Sequence, residues 1–285
     1  MENQAKISAY HAQLSTYEFK RISRFIEDNY GIKLPDHKRI MVQGRLHKRL
    51  IALNIKDFKD YVGYLFSEKG KTNEIPQMVD LISTNKTDFF REAPHFKVLN
   101  EIVLPEYIDT HSFSTFKIWS AGCSSGEEVY TLGMVINEFF EAHKGYRFQI
   151  LGSDISYKML KKASDAIYSY KDVETMPLYL KRKYLLKHKD KNIKEVRISP
   201  ALRSKAKFMR LNFMDDKYEL NQKYDVAFCR NVIIYFERDV QTQVIKKILE
   251  HVKPGGYLFL GHSESISDLG LPVTKISPTV FRKHK

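Results

Sequence analysis

Four stretches of this chain place polar side chains where an apolar run stops, and each could do chemistry. In WSAGCSSGEE, Gly122 and Gly126 leave room for a backbone turn to approach a ligand closely, and the helix start behind them offers free amides. Glu127, in the first turn of that helix, would favour a cationic ligand group, or would simply complement the helix dipole. The spacing is not the GxGxxG of dinucleotide sites. Asp154 ends the run FQILGSD, where a carboxylate can accept from both hydroxyls of a ribose or can cap a helix beginning near Ser156. Arg230 and Asn231 follow the apolar run YDVAFC, at the sheet end where a ligand would sit; a buried Arg there asks for a carboxylate or a structural ion pair. Upstream, STNKTDFFRE carries Asn85, Thr87 and Arg91, for which periodicity alone favours capping and linker roles. The glycine turn and the acid, in this order, favour an adenosine-containing ligand.

Elements that could position these residues are legible in the periodicity. Residues 16–84 read as four helices. TYEFKRISRFIEDNYG has Phe19, Ile22, Phe25 and Ile26 at helical spacing with Gly31 as a stop. PDHKRIMVQGRLHKRLIALN aligns Val42, Leu46, Leu50 and Leu53, with Lys38, Arg45, Lys48 and Arg49 on the neighbouring arc. DFKDYVGYLFSEK and NEIPQMVDLIS supply the other two. From about residue 115 strands alternate with helices: FKIWS, FQILGSD, KFMRLN, YDVAFCRN and YLFLGHSE, with helices after the first two and at 238–252. Lys253-Pro254-Gly255-Gly256 reads as a turn, and VTKISPTVFRKH as an edge hairpin. Such alternation means a parallel sheet covered on both faces, with ligands beyond the carboxyl ends of its strands.

With 285 residues, 43% hydrophobic and 28% charged, the chain excludes the disordered and collagen-like classes. Cys123 and Cys229 are too few for a disulfide framework or a four-cysteine zinc site, and point to a reducing compartment. The start lacks the apolar core of a signal peptide and no run approaches a membrane span, so a soluble cytoplasmic protein is expected. The net charge of +13 is uneven. Residues 1–84 carry 14 basic against 10 acidic side chains and residues 170–210 carry 13 against 4, while the remaining stretches cancel. Two basic segments on a neutral body suggest acidic partners; two solvated lysine-rich faces would look the same.

NKTDFFRE, WSAGCSSGEE, SDIS, CRNVIIYF, VKPGG and GHSE, in this order, closely resemble the chemotaxis receptor methyltransferases, the CheR family. GIKLPDHKRIMVQGRLHKRL is similar to that family's amino-terminal domain, so the resemblance spans about residues 16–283. It implies an α/β, Rossmann-like S-adenosylmethionine-dependent methyltransferase domain (85–285) with a small β subdomain inserted at about 170–206. An all-α helical domain (1–84) precedes it. It also implies methylation of glutamate side chains on the cytoplasmic helices of chemoreceptors, giving methyl esters and S-adenosylhomocysteine, with no metal. Residue by residue, Asn85, Thr87 and Arg91 match the segment that reaches over the cofactor, and Ala121 and Glu127 match the glycine-turn motif. Glu127 resembles the acid that receives the cofactor's amino group. Asp154 matches the ribose acid, Asn212 and Phe213 the adenine-side segment, and Arg230 and Asn231 the RN pair. Arg91 and Tyr235 are expected to position the acceptor carboxylate, and Lys38, Arg45, Lys48 and Arg49 to dock the acidic receptor helices.

The partners so implied are chemoreceptor helices, with no nucleic acid, no stable membrane insertion and a monomeric enzyme. Two rivals differ in class. An RNA methyltransferase would suit the basic pI of 9.4, but CRNVIIYF is not the NPPY-like loop that base methylation uses. A non-catalytic S-adenosylmethionine-binding signalling module has no need of Arg91, Arg230 and Tyr235 together. Some CheR members hold a receptor's carboxyl-terminal peptide on the inserted subdomain through a glycine-containing loop. YLLKHKDKNIKEVRISPALRSKAKF has no glycine, so a tight loop is expected to be hard to form there. Lys187, Lys189, Lys191 and Lys194 would then make a diffuse contact, and methylation would need no tether.

Overall fold

The computed structural model describes residues 11–266 and 269–285. Its first part is helical. Helix α1 (Thr16–Tyr30) begins with a reciprocal cap, in which the Ser15 hydroxyl accepts the Glu18 N–H and the Glu18 carboxylate accepts the Ser15 N–H. It ends at Gly31, whose φ of +70° favours glycine. A Cβ at Gly31 would stand 2.8 Å from Met214 Sδ, so this glycine also lets α1 approach the second half of the chain. Helix α2 (Arg39–Leu53) buries Val42, Leu46 and Leu50 as the stripe predicts. DFKDYVGYLFSEK is not one helix, however. It breaks after α3 (Phe58–Leu65), because Ser67 caps a new helix, α4 (Glu68–Asn73). With α5 (Ile75–Ile82) the segment holds five helices around one apolar cluster, where periodicity alone gives four.

The rest is built on a seven-stranded sheet of order β6-β2-β1-β7-β8-β10-β9. Strands β1 (Thr115–Ala121), β2 (Arg147–Asp154), β6 (Ala206–Arg210), β7 (Tyr224–Cys229) and β8 (Val252–Leu260) are parallel. Strands β9 (Val273–Ser277) and β10 (Val280–Lys283) form the expected edge hairpin, β10 running antiparallel to β8. Lys253-Pro254-Gly255-Gly256 is not a free turn. It lies inside β8 where the pairing with β7 slips, and Gly255 takes a φ of +74° there.

One face of the sheet is covered by α6 (Pro94–Val98), α7 (Leu104–Thr110) and α8 (Glu127–Ala142). The other is covered by α12 (Arg238–Glu250). Helix α9 (Tyr157–Asp165) follows β2. A small antiparallel sheet, β3 (Ile167–Ser169), β5 (Glu195–Ile198) and β4 (Leu185–Lys187), stands where the inserted subdomain is expected, with α10 (Leu178–Tyr184) before it and α11 (Pro200–Arg203) after. Its β4–β5 loop closes without glycine. The Asp190 carbonyl accepts the Ile193 N–H and its carboxylate accepts the Asn192 N–H, the local bonding that Asp supplies to turns. The missing glycine is therefore no obstacle to that loop, and the tether argument loses its premise.

Candidate functional site

Strand order reverses between β1 and β7: the chain steps outward from β1 through β2 to β6, then crosses back to β7 on the other side. A cavity of about 380 Å³ opens at the carboxyl ends of these strands, where such sheets bind ligands. Its wall includes Gly122, Ser124 and Glu128 after β1, Asp154 and Ile155 after β2, Asn212 and Phe213 after β6, and Arg230, Asn231, Val232 and Tyr235 after β7. The segment 82–87 and Arg91 cross over it. Tyr30, Lys33, Lys38, Met41 and Arg45 close it from the helical part.

Several wall residues are held by specific contacts. The Asp154 carboxylate accepts the N–H of Ser124 (2.8 Å) and of Ser156 (2.9 Å), which aims it at the cavity mouth; Ser156, not Asp154, caps α9. Burial pushes its carboxyl above the ordinary range, against the pull of those amides. Gly122 has a φ of +83°, and a Cβ there would lie 2.4 Å from Val232, so glycine alone permits the β1 turn to pass the β7 turn. Asn85 lends its carbonyl to the Ser124 hydroxyl (2.9 Å), pinning the cover segment to the glycine turn. Asn212 reaches the Asn29 carbonyl of α1 (2.8 Å), and Lys33 N–H donates to the Tyr235 carbonyl (3.0 Å). The helical part is thereby fastened at the rim.

Arg230 is buried among acceptors, as its position requires. Its Nε donates to Glu128 at 2.7 Å, and its Nη1 to the Arg91 carbonyl (2.8 Å), His95 Nδ1 (3.1 Å) and Glu92 (3.3 Å). Glu92, His95 and His262 bring possible metal-ligand atoms within 4.8 Å of one another, but Glu92 and His95 already serve this fixed organic cation. Burial and the guanidinium drive the His95 imidazole down to about 4. Burial works against the Glu92 carboxylate, yet Asn231, Arg230 and the His262 amide outweigh it and hold the group below its usual range.

Of the residues singled out in the sequence, Asn85, Thr87, Arg91, Asp154, Asn212, Phe213, Arg230, Asn231 and Tyr235 line this one cavity. Two do not. Ala121 is 1% exposed within the strand, and the following Gly122 forms the wall. Glu127 turns the other way, accepting from the Ser125 hydroxyl (2.7 Å) with the Lys162 ammonium 3.6 Å off. Its neighbour Glu128 faces the cavity, bonded to Ser120 (2.7 Å) and Arg230. The doublet Gly-Glu-Glu offers two acids, and Gly126 at φ +93° sets which one points inward. The basic arc of α2 also divides. Lys38 and Lys48 are exposed. Arg49 makes a two-pronged pair with the buried Glu74 (2.9 and 2.7 Å), and Arg45 donates to the carbonyls of Leu81, Ile82 and Ser83 at the end of α5. Both arginines thus join α2 to its neighbours in the helical part.

Family models agree with this layout. "CheR methyltransferase, all-alpha domain" matches residues 17–83 and "CheR methyltransferase, SAM binding domain" matches residues 85–281. The chain belongs to the CheR methyltransferase family. A chemotaxis protein methyltransferase of Borreliella burgdorferi is 36% identical over 271 residues, covering 94% of both chains. That of Escherichia coli is 33% identical over 272 residues, covering 95% of this chain and 92% of its own. Chemotaxis protein methyltransferase 1 of Pseudomonas aeruginosa is 37% identical over 256 residues, covering 88% and 91%. The CheR chain described here is thus an S-adenosylmethionine-dependent methyltransferase, and the cavity's chemistry suits that molecule. Inward-facing carboxylates (Asp154, Glu128) match hydroxyl and ammonium groups, and Ile155, Phe213 and Val232 give apolar wall for a base.

Proposed function

We propose that this CheR protein methylates glutamate side chains on the cytoplasmic helices of chemoreceptors, in the cytoplasm, as a monomer, and without a metal or nucleic acid. The observation that carries the reading is the family match over both the helical part and the sheet part, together with relatives named chemotaxis protein methyltransferase. Among the described residues no helix is long and apolar enough to cross a membrane. The division into a docking domain (1–84) and a methyl-transferring domain (85–285) is supported by their separate apolar clusters.

S-adenosylmethionine, when bound, supplies an electrophilic methyl on a sulfonium. Asp154 would hold its ribose, Phe213 and Ile155 its base, and Glu128 with the Asn85 segment its amino-acid end. The acceptor glutamate is ionised near neutral pH, so no general base is needed. The chain's task is alignment and exclusion of water. Arg91 donates to the Lys86 carbonyl (2.9 Å) through one nitrogen, and its remaining N–H groups are available to steer a carboxylate. Tyr235 stands half-buried in the wall of the same cavity. Arg230, spent on Glu128 and Glu92, braces the site and is not offered to the acceptor. Lys38 and Lys48 add an exposed positive approach.

The test is transfer of tritiated methyl groups to receptor-containing membranes. Base-labile label on receptor glutamates is the expected result; label confined to RNA, or none with saturating cofactor, would overturn the reading.

A further inference from the structure

Glu264 takes no part in the site as described, and the resemblance gives it no role beyond membership of GHSE. It is 3% exposed, just past β8, and its carboxylate is filled by backbone amides. Oε2 accepts from Gly261 (2.6 Å) and Asn231 (2.9 Å), and Oε1 from Val232 (2.9 Å) and Ile233 (2.9 Å). Three successive N–H groups of one turn therefore converge on one side chain, an anion-holding concavity closed by the protein's own carboxylate.

This turn is the one that carries the cavity wall after β7. Asn231 sits at φ +58°, a conformation that costs a non-glycine residue free energy and needs support from its surroundings. Its side chain adds one hydrogen bond, from Asn231 Nδ2 to Glu92 at 3.2 Å, which leaves the backbone of the turn to be held from elsewhere. Room for the clamp is made by Gly261, where a Cβ would lie 2.5 Å from Asn231 Nδ2 and 2.9 Å from Glu264 Oε2. Asn231, Val232 and Tyr235 all project from the clamped segment onto the cavity.

We propose that Glu264 is a positioning residue for cofactor binding: its carboxylate, by gathering the amides of residues 231–233, fixes the turn that presents Asn231 and Tyr235 to the cavity. The proposal rests on the reading of this cavity as the S-adenosylmethionine site. A purely structural Glu264 would stabilise the fold without altering affinity in the folded molecule.

The test uses the full chain and S-adenosylhomocysteine binding by calorimetry, corrected for the folded fraction. Glu264→Gln keeps the shape but puts an NH2 against amide donors, and should weaken binding at least tenfold. Glu74→Gln, an equally buried carboxylate remote from the cavity, should lower the melting temperature with affinity unchanged. In an Asn231→Gly background, which tolerates positive φ unaided, the loss on adding Glu264→Gln should shrink below threefold. Affinity within twofold of wild type for a folded Glu264→Gln, or an equal loss in both backgrounds, overturns the proposal. Should Glu264→Gln melt below the assay temperature, Glu264→Asp, whose oxygens are drawn back by one methylene, takes its place with the same criteria. Failure of the wild-type chain to bind S-adenosylhomocysteine would instead sink the cofactor reading, and the proposed role with it.

Discussion

Asp154 and Glu128 are the two carboxylates that the fold leaves facing the cavity, and they set the residue-scale expectations. Asp154→Ala removes one or two charge-assisted hydrogen bonds to a ribose and should weaken S-adenosylhomocysteine binding by about 1.5–3 kcal/mol, read by calorimetry. Glu127→Gln, on the far side of the helix start, should leave affinity nearly unchanged, whereas Glu128→Gln should weaken it; the opposite ranking would restore Glu127 to the site. Arg91→Ala and Tyr235→Phe should lower turnover more than cofactor affinity, because the work proposed for them is on the acceptor. His95 carries a pH prediction. Its folded imidazole titrates at about 4 against 6.5 in the unfolded chain, facing Arg230, Glu92, His262 and the Thr279 hydroxyl. The unfolded state therefore binds more protons between these values, and this group's contribution is whole above 6.5 and lost as pH falls toward 4. Urea melts of wild type and His95→Gln should diverge in that window, by roughly 3 kcal/mol at most, with the variant's stability the less dependent on pH.

Helix α2 has two kinds of cation on what periodicity shows as a single arc. Arg49 is half-buried against a Glu74 that is 1% exposed and also accepts from Tyr61 (2.9 Å). Removing Arg49 strands that carboxylate, so Arg49→Ala should cost about 3–5 kcal/mol in chemical denaturation. Lys38 and Lys48, by contrast, stand in solvent, and reversing Lys48, which lies outside the cavity wall, should raise the Michaelis constant for receptor at low salt while leaving stability and cofactor affinity unaltered. Unchanged receptor kinetics would show that face of α2 to be merely solvated.

Across the whole molecule, the charge excess lies in residues 1–84 and in residues 170–210, the stretch that holds most of the small inserted sheet and the edge strand β6. Association with acidic receptor helices should slow steeply as salt rises, whereas methyl transfer from preformed complex should not. Stopped-flow or single-turnover measurements separate the two. The helical part is joined to the sheet part at the cavity rim through Asn29–Asn212, Lys33–Tyr235 and the close approach at Gly31. The helical part thus shares the rim of the cavity with the sheet part.

Most of the helices and strands were readable because their apolar residues repeat at 3.6 or 2 and their ends carry Ser, Asp or Gly signals. That the strands form a parallel sheet with its ligand site beyond their carboxyl ends followed from alternation; their order in the sheet, and so the place where it reverses, did not. The motif residues Asp154 and Arg230 could be placed at strand ends by the same logic, and Arg230's need for a carboxylate was physical necessity. What sequence alone left undecided depended on directions and distances between segments far apart in the chain. One peptide turn at Gly126 decides between Glu127 and Glu128. The approach of α5 and Glu74 to α2 turns two surface-looking arginines into internal struts. The slip between β7 and β8 absorbs a Pro-Gly-Gly that reads locally as a turn. Glu264 meets residues 231–233 only because β7 and β8 lie side by side, which no periodicity within either segment encodes.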